Sequence, residues 1–151
     1  MKLPFRRSAA HENNVGLNLK YPPTPENARK LAEVVVSAAR NVSGVNLDFS
    51  VGSLAAVDQI IEKLRSEGLV AAQIAETLFS FGCYVGEVLV VNAGGTWRST
   101  AETSMAPFAS APMVVELGPD HFSNPIDKVF KRFQNGPEDS LPYFYQVTTA
   151  G

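Results

Sequence analysis

The sequence contains one cysteine and two histidines in 151 residues, which limits the metal and redox chemistry available to it. The single Cys83 cannot form a disulfide within the chain, and its apolar surroundings are typical of a small core residue. Binding of a metal through histidines is not expected, and we assign no metal and no cofactor. A chain of this length needs neither, because it can bury roughly two-thirds of the surface that its unfolded form exposes.

Motifs that mark common enzyme classes are also absent. The sequence has no Gly-x-Ser-x-Gly, no His-Glu-x-x-His and no Cys-x-x-Cys pattern. Its Gly94-Gly95 pair follows a predicted helix and precedes a predicted strand, whereas a phosphate-binding loop has its glycines between a strand and a helix. We therefore assign no catalytic residue and favour a protein without enzymatic activity.

Charge of either sign is sparse, and no block of basic residues points to nucleic acid. Charged residues make up 19% of the chain, the net charge is -2, and 45% of the residues are hydrophobic, as in one soluble globular domain. The first 23 residues hold four basic side chains against Glu12 and lack the apolar core of a signal peptide. We interpret 1–23 as a flexible basic arm or an extended strap and 24–151 as a single domain, in a cytoplasmic protein.

Hydrophobic periodicity predicts three helices in the first part of the chain, over 24–43, 53–67 and about 70–91. The first begins at a Thr-Pro-Glu sequence, in which the threonine is a candidate N-cap and the proline fits the first turn. A glycine follows each of the first two helices and favours the left-handed backbone that closes a helix.

Shorter segments follow that predict a small sheet. Strands are expected over 96–100 and 113–117, with a short return strand starting at His121, before a last helix over 124–134 that Asn124 caps. The expected fold is α+β, with about three N-terminal helices packed on a small antiparallel sheet and a further C-terminal helix. The aromatic end over 141–145 is expected to dock on the domain, and it also suggests a homo-oligomer.

The third predicted helix is apolar enough to raise the question of a membrane span. Glu76 and Glu87 argue against it, because an uncompensated carboxylate in hydrocarbon costs several kcal/mol. On a helical wheel its polar residues share one side, so we expect a core helix with one polar seam. Gly82 and Gly86 lie four residues apart in this helix and predict that another backbone or a large ring passes close to them.

The same helix provides the main candidate for a binding site. Glu87 lies one turn after Tyr84, and an enclosed carboxyl group there could serve as an acid or a base. Tyr84 and Trp97 could floor a pocket that Glu87 closes, suited to a small polar or cationic ligand. The simpler interpretation, which we favour, has Glu87 paired with water or with a donor such as Arg98, and Trp97 packed in the core.

His121 is a second candidate, because it follows Asp120 directly. An aspartate beside a histidine can orient the ring as a general base. The same two residues are also common in turns, which is the interpretation we favour here.

The distribution of charge carries more information than these motifs. From 66 to 127 the only basic residue is Arg98, against seven carboxylates, which gives a local net charge of one minus seven, or -6. Such a stretch repels phosphates and attracts cationic surfaces. We therefore expect a non-enzymatic protein-binding or regulatory module, immunity-like in character, with a basic protein as partner. The alternative is a small-ligand-binding protein or minor hydrolase built around Tyr84, Glu87 and Trp97.

Several strings resemble small uncharacterised bacterial proteins, those of actinobacteria in particular. The strings are Leu47-Asp48-Phe49-Ser50 leading into Ser53-Leu54, the run from Gly82 to Val88, Gly95-Thr96-Trp97, and Asn124-Pro125 through Phe133. The resemblance covers about residues 45 to 146 and brings no activity with it. It implies that Tyr84, Gly86, Glu87, Trp97 and Pro125 belong to one structural unit.

Overall fold

The computed structural model describes residues 18–151. Within them the chain forms five α-helices and three strands: α1 Ala28–Ala38, α2 Ser53–Ser66, α3 Ala75–Ala93, β1 Thr96–Ser99, β2 Met113–Gly118, β3 His121–Ser123, α4 Pro125–Asn135 and α5 Leu141–Thr149. The predicted α+β class with a small antiparallel sheet is confirmed.

Helix α3 lies at the centre of the molecule. Every residue from Thr77 to Leu89 is buried, because α1 and α4 pack along this helix and the sheet lies near its second half. The segment Ala71–Ala93 is long and apolar enough to cross a membrane, and 78% of its most apolar stretch is buried inside the protein. The polar seam of α3 therefore lies against other parts of the protein.

The sheet is antiparallel throughout, in the order β1-β2-β3. In its register Trp97 lies opposite Val115 and Arg98 opposite Val114, and Val115 lies opposite Ser123. Because side chains alternate along a strand, Trp97 and Arg98 point to opposite faces. The turn between β2 and β3 contains Asp120, whose φ of +57° is a left-handed conformation that aspartate tolerates better than most residues.

The ends of the first helix differ from the sequence prediction in detail. A 3-10 turn over Pro25–Asn27 precedes α1, and a π-helical turn over Ala39–Ser43 follows it. The Thr24 side chain makes no capping hydrogen bond to the backbone. Gly44, at a φ of +65°, ends the helical segment as predicted.

The helix count predicted from the sequence is wrong by one. The aromatic end forms a fifth helix, α5, where the sequence predicted only a docked segment. Ser140 caps α5 by accepting a hydrogen bond from the Tyr143 backbone N–H at 3.3 Å, and Pro142 lies in the first turn, where its missing N–H costs nothing. The Asn124 cap of α4 is confirmed, with the Asp127 N–H donating to it at 3.2 Å.

Of the arm predicted over 1–23, residues 1–17 lie outside the described part of the chain. Residues 18–20 lie alongside α1 and α3. The Asn18 backbone N–H donates to the Glu76 carboxylate at 2.8 Å, and Leu19 and Tyr21 pack against the core. This part of the arm lies on the domain as an extended strap.

An ionic cluster joins α2, α4 and α5. Arg132 is 2% exposed and donates to Asp58 at 2.9 Å and to Glu62 at 2.8 Å, both on α2. The Asp58 carboxylate also accepts the Leu141 backbone N–H at 2.9 Å, which lies at the start of α5. The Arg132 guanidinium thus joins α4 to α2, and the Asp58 carboxylate joins α2 to α5.

Candidate functional site

Glu87 is buried, with 7% of its surface exposed, and protein donors satisfy both of its oxygens. The Trp97 indole N–H donates to Oε2 at 2.9 Å, and Arg29 Nη1 lies 3.4 Å from Oε1. The sequence predicted water or a donor such as Arg98 at Glu87, and the donors are Trp97 and Arg29 instead of Arg98. Arg98 faces the other side of the sheet, where it pairs with Glu116 at 2.8 Å.

The Trp97 ring lies directly over Gly86, as the two glycines of α3 predicted. A Cβ on Gly86 would lie 2.0 Å from the Trp97 ring, and a Cβ on Gly82 would lie 2.6 Å from the Ile126 backbone. Each distance is too short for any side chain. These glycines allow β1 and α4 to approach α3, and the first of them places the indole N–H beside Glu87.

Tyr84 is fully buried one turn before Glu87. Its hydroxyl oxygen accepts the Phe49 backbone N–H at 2.8 Å and lies 2.7 Å from Ser53 Oγ. Burial raises the pKa of the Tyr84 phenol, because the phenolate would be poorly solvated there. The residue therefore serves as a neutral hydrogen-bonding group that ties the segment before α2 to α3.

Phe49 adopts an unusual backbone conformation above this tyrosine. Its φ is +63°, a left-handed value that is uncommon for a bulky residue. The Asn92 side chain donates to its carbonyl at 2.9 Å, and its ring stacks on Tyr84 with centroids 4.7 Å apart. The Arg29 guanidinium covers the other ring face at 3.7 Å, in cation–π geometry.

These contacts form one connected network, which we call the Glu87 cluster: Arg29, Phe49, Ser53, Tyr84, Glu87, Asn92 and Trp97. Its contacts join three helices, a loop and a strand, and at its edge the half-exposed Arg29 also pairs with Glu33 at 3.2 Å. Sequence reasoning found Tyr84, Glu87 and Trp97 but missed the other four. Arg29 and Glu87 are 58 positions apart, and no local pattern links residues at such a distance.

His121 lies apart from this cluster. It lines a small groove of about 110 Å³ with Ala93 and Leu117 and with residues at the end of α5. The neighbouring Asp120 carboxylate accepts a hydrogen bond from Ser104 Oγ at 3.0 Å. Together with the left-handed backbone of Asp120, this contact gives the aspartate a role in the turn.

Cys83 and the potential metal ligands lie outside the Glu87 cluster or apart from one another in the described residues. Cys83 is buried, and that burial raises the pKa of its thiol far above the ordinary range, so the nucleophilic thiolate is disfavoured. Within residues 18–151, no three side chains of His, Cys, Asp or Glu converge as metal ligands would.

The acidic stretch divides into separate parts in three dimensions. Glu87 is internal, and Glu76 holds the strap through Asn18. A second group of carboxylates, Glu102, Asp120 and Asp127, lies on or around the loop 100–112, which connects β1 to β2. We call this surface the acidic face. It comprises the loop 100–112, the β2–β3 turn and the first turn of α4.

The loop of the acidic face is fixed at several points. The Thr100 hydroxyl donates to the Ala111 carbonyl at 2.7 Å, which closes the base of the loop. Asp127 accepts hydrogen bonds from the backbone N–H of Ser110 at 3.1 Å and from its hydroxyl at 2.9 Å. Ser104 reaches Asp120 beyond the far end of β2, so the loop runs back along the sheet. These hydrogen bonds therefore hold the loop of the acidic face in one conformation.

Comparison of the chain with protein-family models, with curated proteins and with solved structures finds no match. The resemblance to small bacterial proteins stays a prediction, and the geometry alone supports the functional argument.

Proposed function

We propose that this protein is a non-enzymatic binding module, immunity-like or regulatory in character, that presents its acidic face to a basic partner protein. One observation carries the proposal. From 99 to 127 the chain has four carboxylates and no lysine or arginine, and Arg98 neutralises only Glu116. The excess on this face is four minus one, or three negative charges, against a net charge of -2 for the whole chain.

The exposure of these carboxylates supports a role in docking. Glu102 and Asp120 are exposed, and Asp127 is half-buried. Asp120 and Asp127 each accept a hydrogen bond from the loop that carries Glu102. Clustered charge of one sign steers an oppositely charged partner and repels a like-charged one, although it adds less to affinity than to rate and selectivity. A protein that masks a basic surface on its partner needs this property.

The alternative of a ligand pocket has weaker support. It would require Tyr84, Glu87 and Trp97 to present polar atoms to an open cavity. Their hydrogen-bonding atoms are instead directed at Phe49, Ser53, Arg29 and one another. A buried polar network whose members are satisfied in this way stabilises a fold.

A matched pair of charge variants tests the proposal. Glu102→Lys with Asp120→Asn raises the net charge by three on the acidic face, and asparagine tolerates the left-handed backbone at that turn. Glu138→Lys with Glu26→Gln makes the same change at exposed carboxylates elsewhere. The probe is a fluorescent peptide with a run of lysines and arginines, and its acidic counterpart is the reference.

We expect the basic peptide to bind in preference to the acidic one, with an affinity that falls as salt rises. The acidic-face variant should weaken binding by about tenfold, and the control by about twofold or less. Equal losses in the two variants, binding insensitive to salt, or equal binding of the acidic peptide would refute the proposal.

A further inference from the structure

A groove of about 550 Å³ runs beside the acidic face, between the loop 100–112 and α4. Much of its apolar lining comes from four residues: Phe79 of α3, Phe108 and Pro112 of the loop, and Phe130 of α4. Lys131 and Gln134 of α4 also line it. Its volume is in the range of about 300–1,000 Å³ that is usual for small-molecule pockets, so a single large side chain fits with room to spare.

Phe108 distinguishes this groove from the rest of the surface. Its side chain is 79% exposed, the highest value among the large apolar residues described over 18–151. An aromatic ring left in water on a folded protein is typical of a contact surface, because aromatic side chains bring much apolar area to an interface at little entropic cost.

The groove is formed before anything binds. Hydrogen bonds from Ser110 to Asp127 hold the loop against α4, and the Thr100 hydroxyl closes the loop at Ala111. Phe79 is buried in α3 and forms a fixed floor. A site whose walls are already ordered loses less conformational entropy on binding than a mobile one.

Charge around the groove is unequal at its two ends. Asp127 lines it at the start of α4, next to the acidic face, whereas Lys131 lines it one turn further along the helix. A cationic group on a partner is therefore attracted toward the Asp127 end and repelled from the Lys131 end.

We propose that the groove holds one large apolar side chain, an aromatic or a leucine, from a segment of the basic partner whose lysines and arginines lie on one side of that anchor. This inference rests on the proposed function and specifies the partner. The anchor packs among Phe79, Phe108 and Phe130, and the basic residues beside it face Asp120 and Glu102. Apolar anchoring supplies affinity, and the one-sided charge sets the direction of the segment.

Two peptides and two variants of the full chain test this inference. One peptide has a run of lysines followed by a single tryptophan, and the other has alanine in place of the tryptophan. Phe108→Ala removes a wall of the groove, and Tyr143→Ala removes an aromatic ring on α5 that is 64% exposed and outside the groove. Binding is measured by fluorescence anisotropy, and the mass of each protein by sedimentation.

We expect Phe108→Ala to weaken binding of the tryptophan peptide by about tenfold and to leave the affinity for the alanine peptide unchanged. Tyr143→Ala should change neither affinity. If both peptides bind alike and remain sensitive to Glu102→Lys with Asp120→Asn, the groove inference is overturned and the proposed function stands. If neither peptide binds, both fail. A dimer of the native chain that Phe108→Ala dissociates would identify a second copy as the occupant and would also overturn the inference.

Discussion

At the scale of single residues, Phe49 shows how this fold maintains an unfavourable local conformation. A bulky residue at a φ of +63° costs about 1–3 kcal/mol relative to an ordinary backbone conformation. Side chains of α3 hydrogen-bond to both of its backbone groups: the Tyr84 hydroxyl accepts its N–H, and the Asn92 amide donates to its carbonyl. Its ring lies between Tyr84 and Arg29, so the surrounding contacts offset the strain.

Gly86 offers a direct test of packing at the Glu87 cluster. Gly86→Ala places a methyl group 2.0 Å from the rigid Trp97 ring, so the ring must move and lose its hydrogen bond to Glu87. We expect a loss of about 2–4 kcal/mol in the free energy of unfolding, from overpacking and from the unpaired carboxylate. Urea unfolding, followed by the fluorescence of the single tryptophan, measures it.

Gly52→Ala is the matched control, since the nearest heavy atom to a Cβ there is 3.9 Å away and the backbone is right-handed. We expect it to change stability by about 1 kcal/mol or less, in the stabilising direction. Equal unfolding midpoints for the two alanine variants would show that the Trp97 contact is not restrictive.

At the scale of elements, α2, α4 and α5 meet at a cluster of charge instead of an apolar contact alone. Arg132 is almost completely buried, which is costly for a cation unless its donors are satisfied. Hydrogen bonds to Asp58 and Glu62 satisfy them, and the Asp58 carboxylate continues to the first residue of α5. The position of α5 therefore depends on a side chain of α2.

Removing Asp58 should expose that dependence. Asp58→Ala leaves the buried Arg132 with only Glu62 and the backbone carbonyl of residue 58, and the Leu141 N–H without its acceptor. We therefore expect a loss of about 3 kcal/mol in the free energy of unfolding. Hydrogen exchange should accelerate in α5 more than in α1. Lys63→Ala, at an exposed position of the same helix, is the control and should have little effect. Equal effects of the two variants would contradict this account.

At the scale of the whole molecule, paired carboxylates make stability dependent on pH. The hydrogen bond from Lys128 is the largest influence that lowers the pKa of Asp139, and the one from Arg132 is the largest that lowers the pKa of Glu62. Because both values are lower in the folded than in the unfolded protein, the unfolded chain binds more protons in acid. The stabilisation is present above the ordinary carboxyl pKa and is lost as pH falls below it.

We therefore expect the urea midpoint to fall between about pH 5 and pH 3. Lys128→Met removes the main cause of the lowered pKa of Asp139 and should make that decline shallower. Lys63→Met removes an exposed lysine and should leave the slope as it is in the native chain. A slope unaffected by Lys128→Met would mean that other carboxylates control the acid transition.

Much of the fold was predictable from the sequence, because the signals involved are local. Apolar residues at helical spacing located α1, α2 and α3, and Asn124 correctly marked the start of α4. Helix α5 was missed because Ser140, although a good cap, precedes a short aromatic segment that reads equally well as a docked end. The π-helical turn after α1 has no sequence signal comparable to an N-cap.

The candidate sites were only partly predictable. The close approach of a ring to Gly86 followed from the glycine spacing, since a missing Cβ in a core helix indicates a near neighbour. The pairing of Glu87 with Arg29 instead of Arg98 could not be predicted from the sequence, because it depends on which face of the sheet packs on α3. The groove beside Phe108 also lacked a signal, since its walls come from three separate segments.

The sequence by itself determined the class of the fold, most helix and strand positions and the shortage of basic residues between 66 and 127, because composition and periodicity act over a few neighbouring residues. Only the tertiary structure decided that Glu87 is enclosed by Arg29 and Trp97, and that Glu102, Asp120 and Asp127 gather around one loop. Those arrangements depend on how helices and strands pack over long separations along the chain. They are fixed by shape and by hydrogen bonds between residues far apart in the chain, which no local pattern encodes.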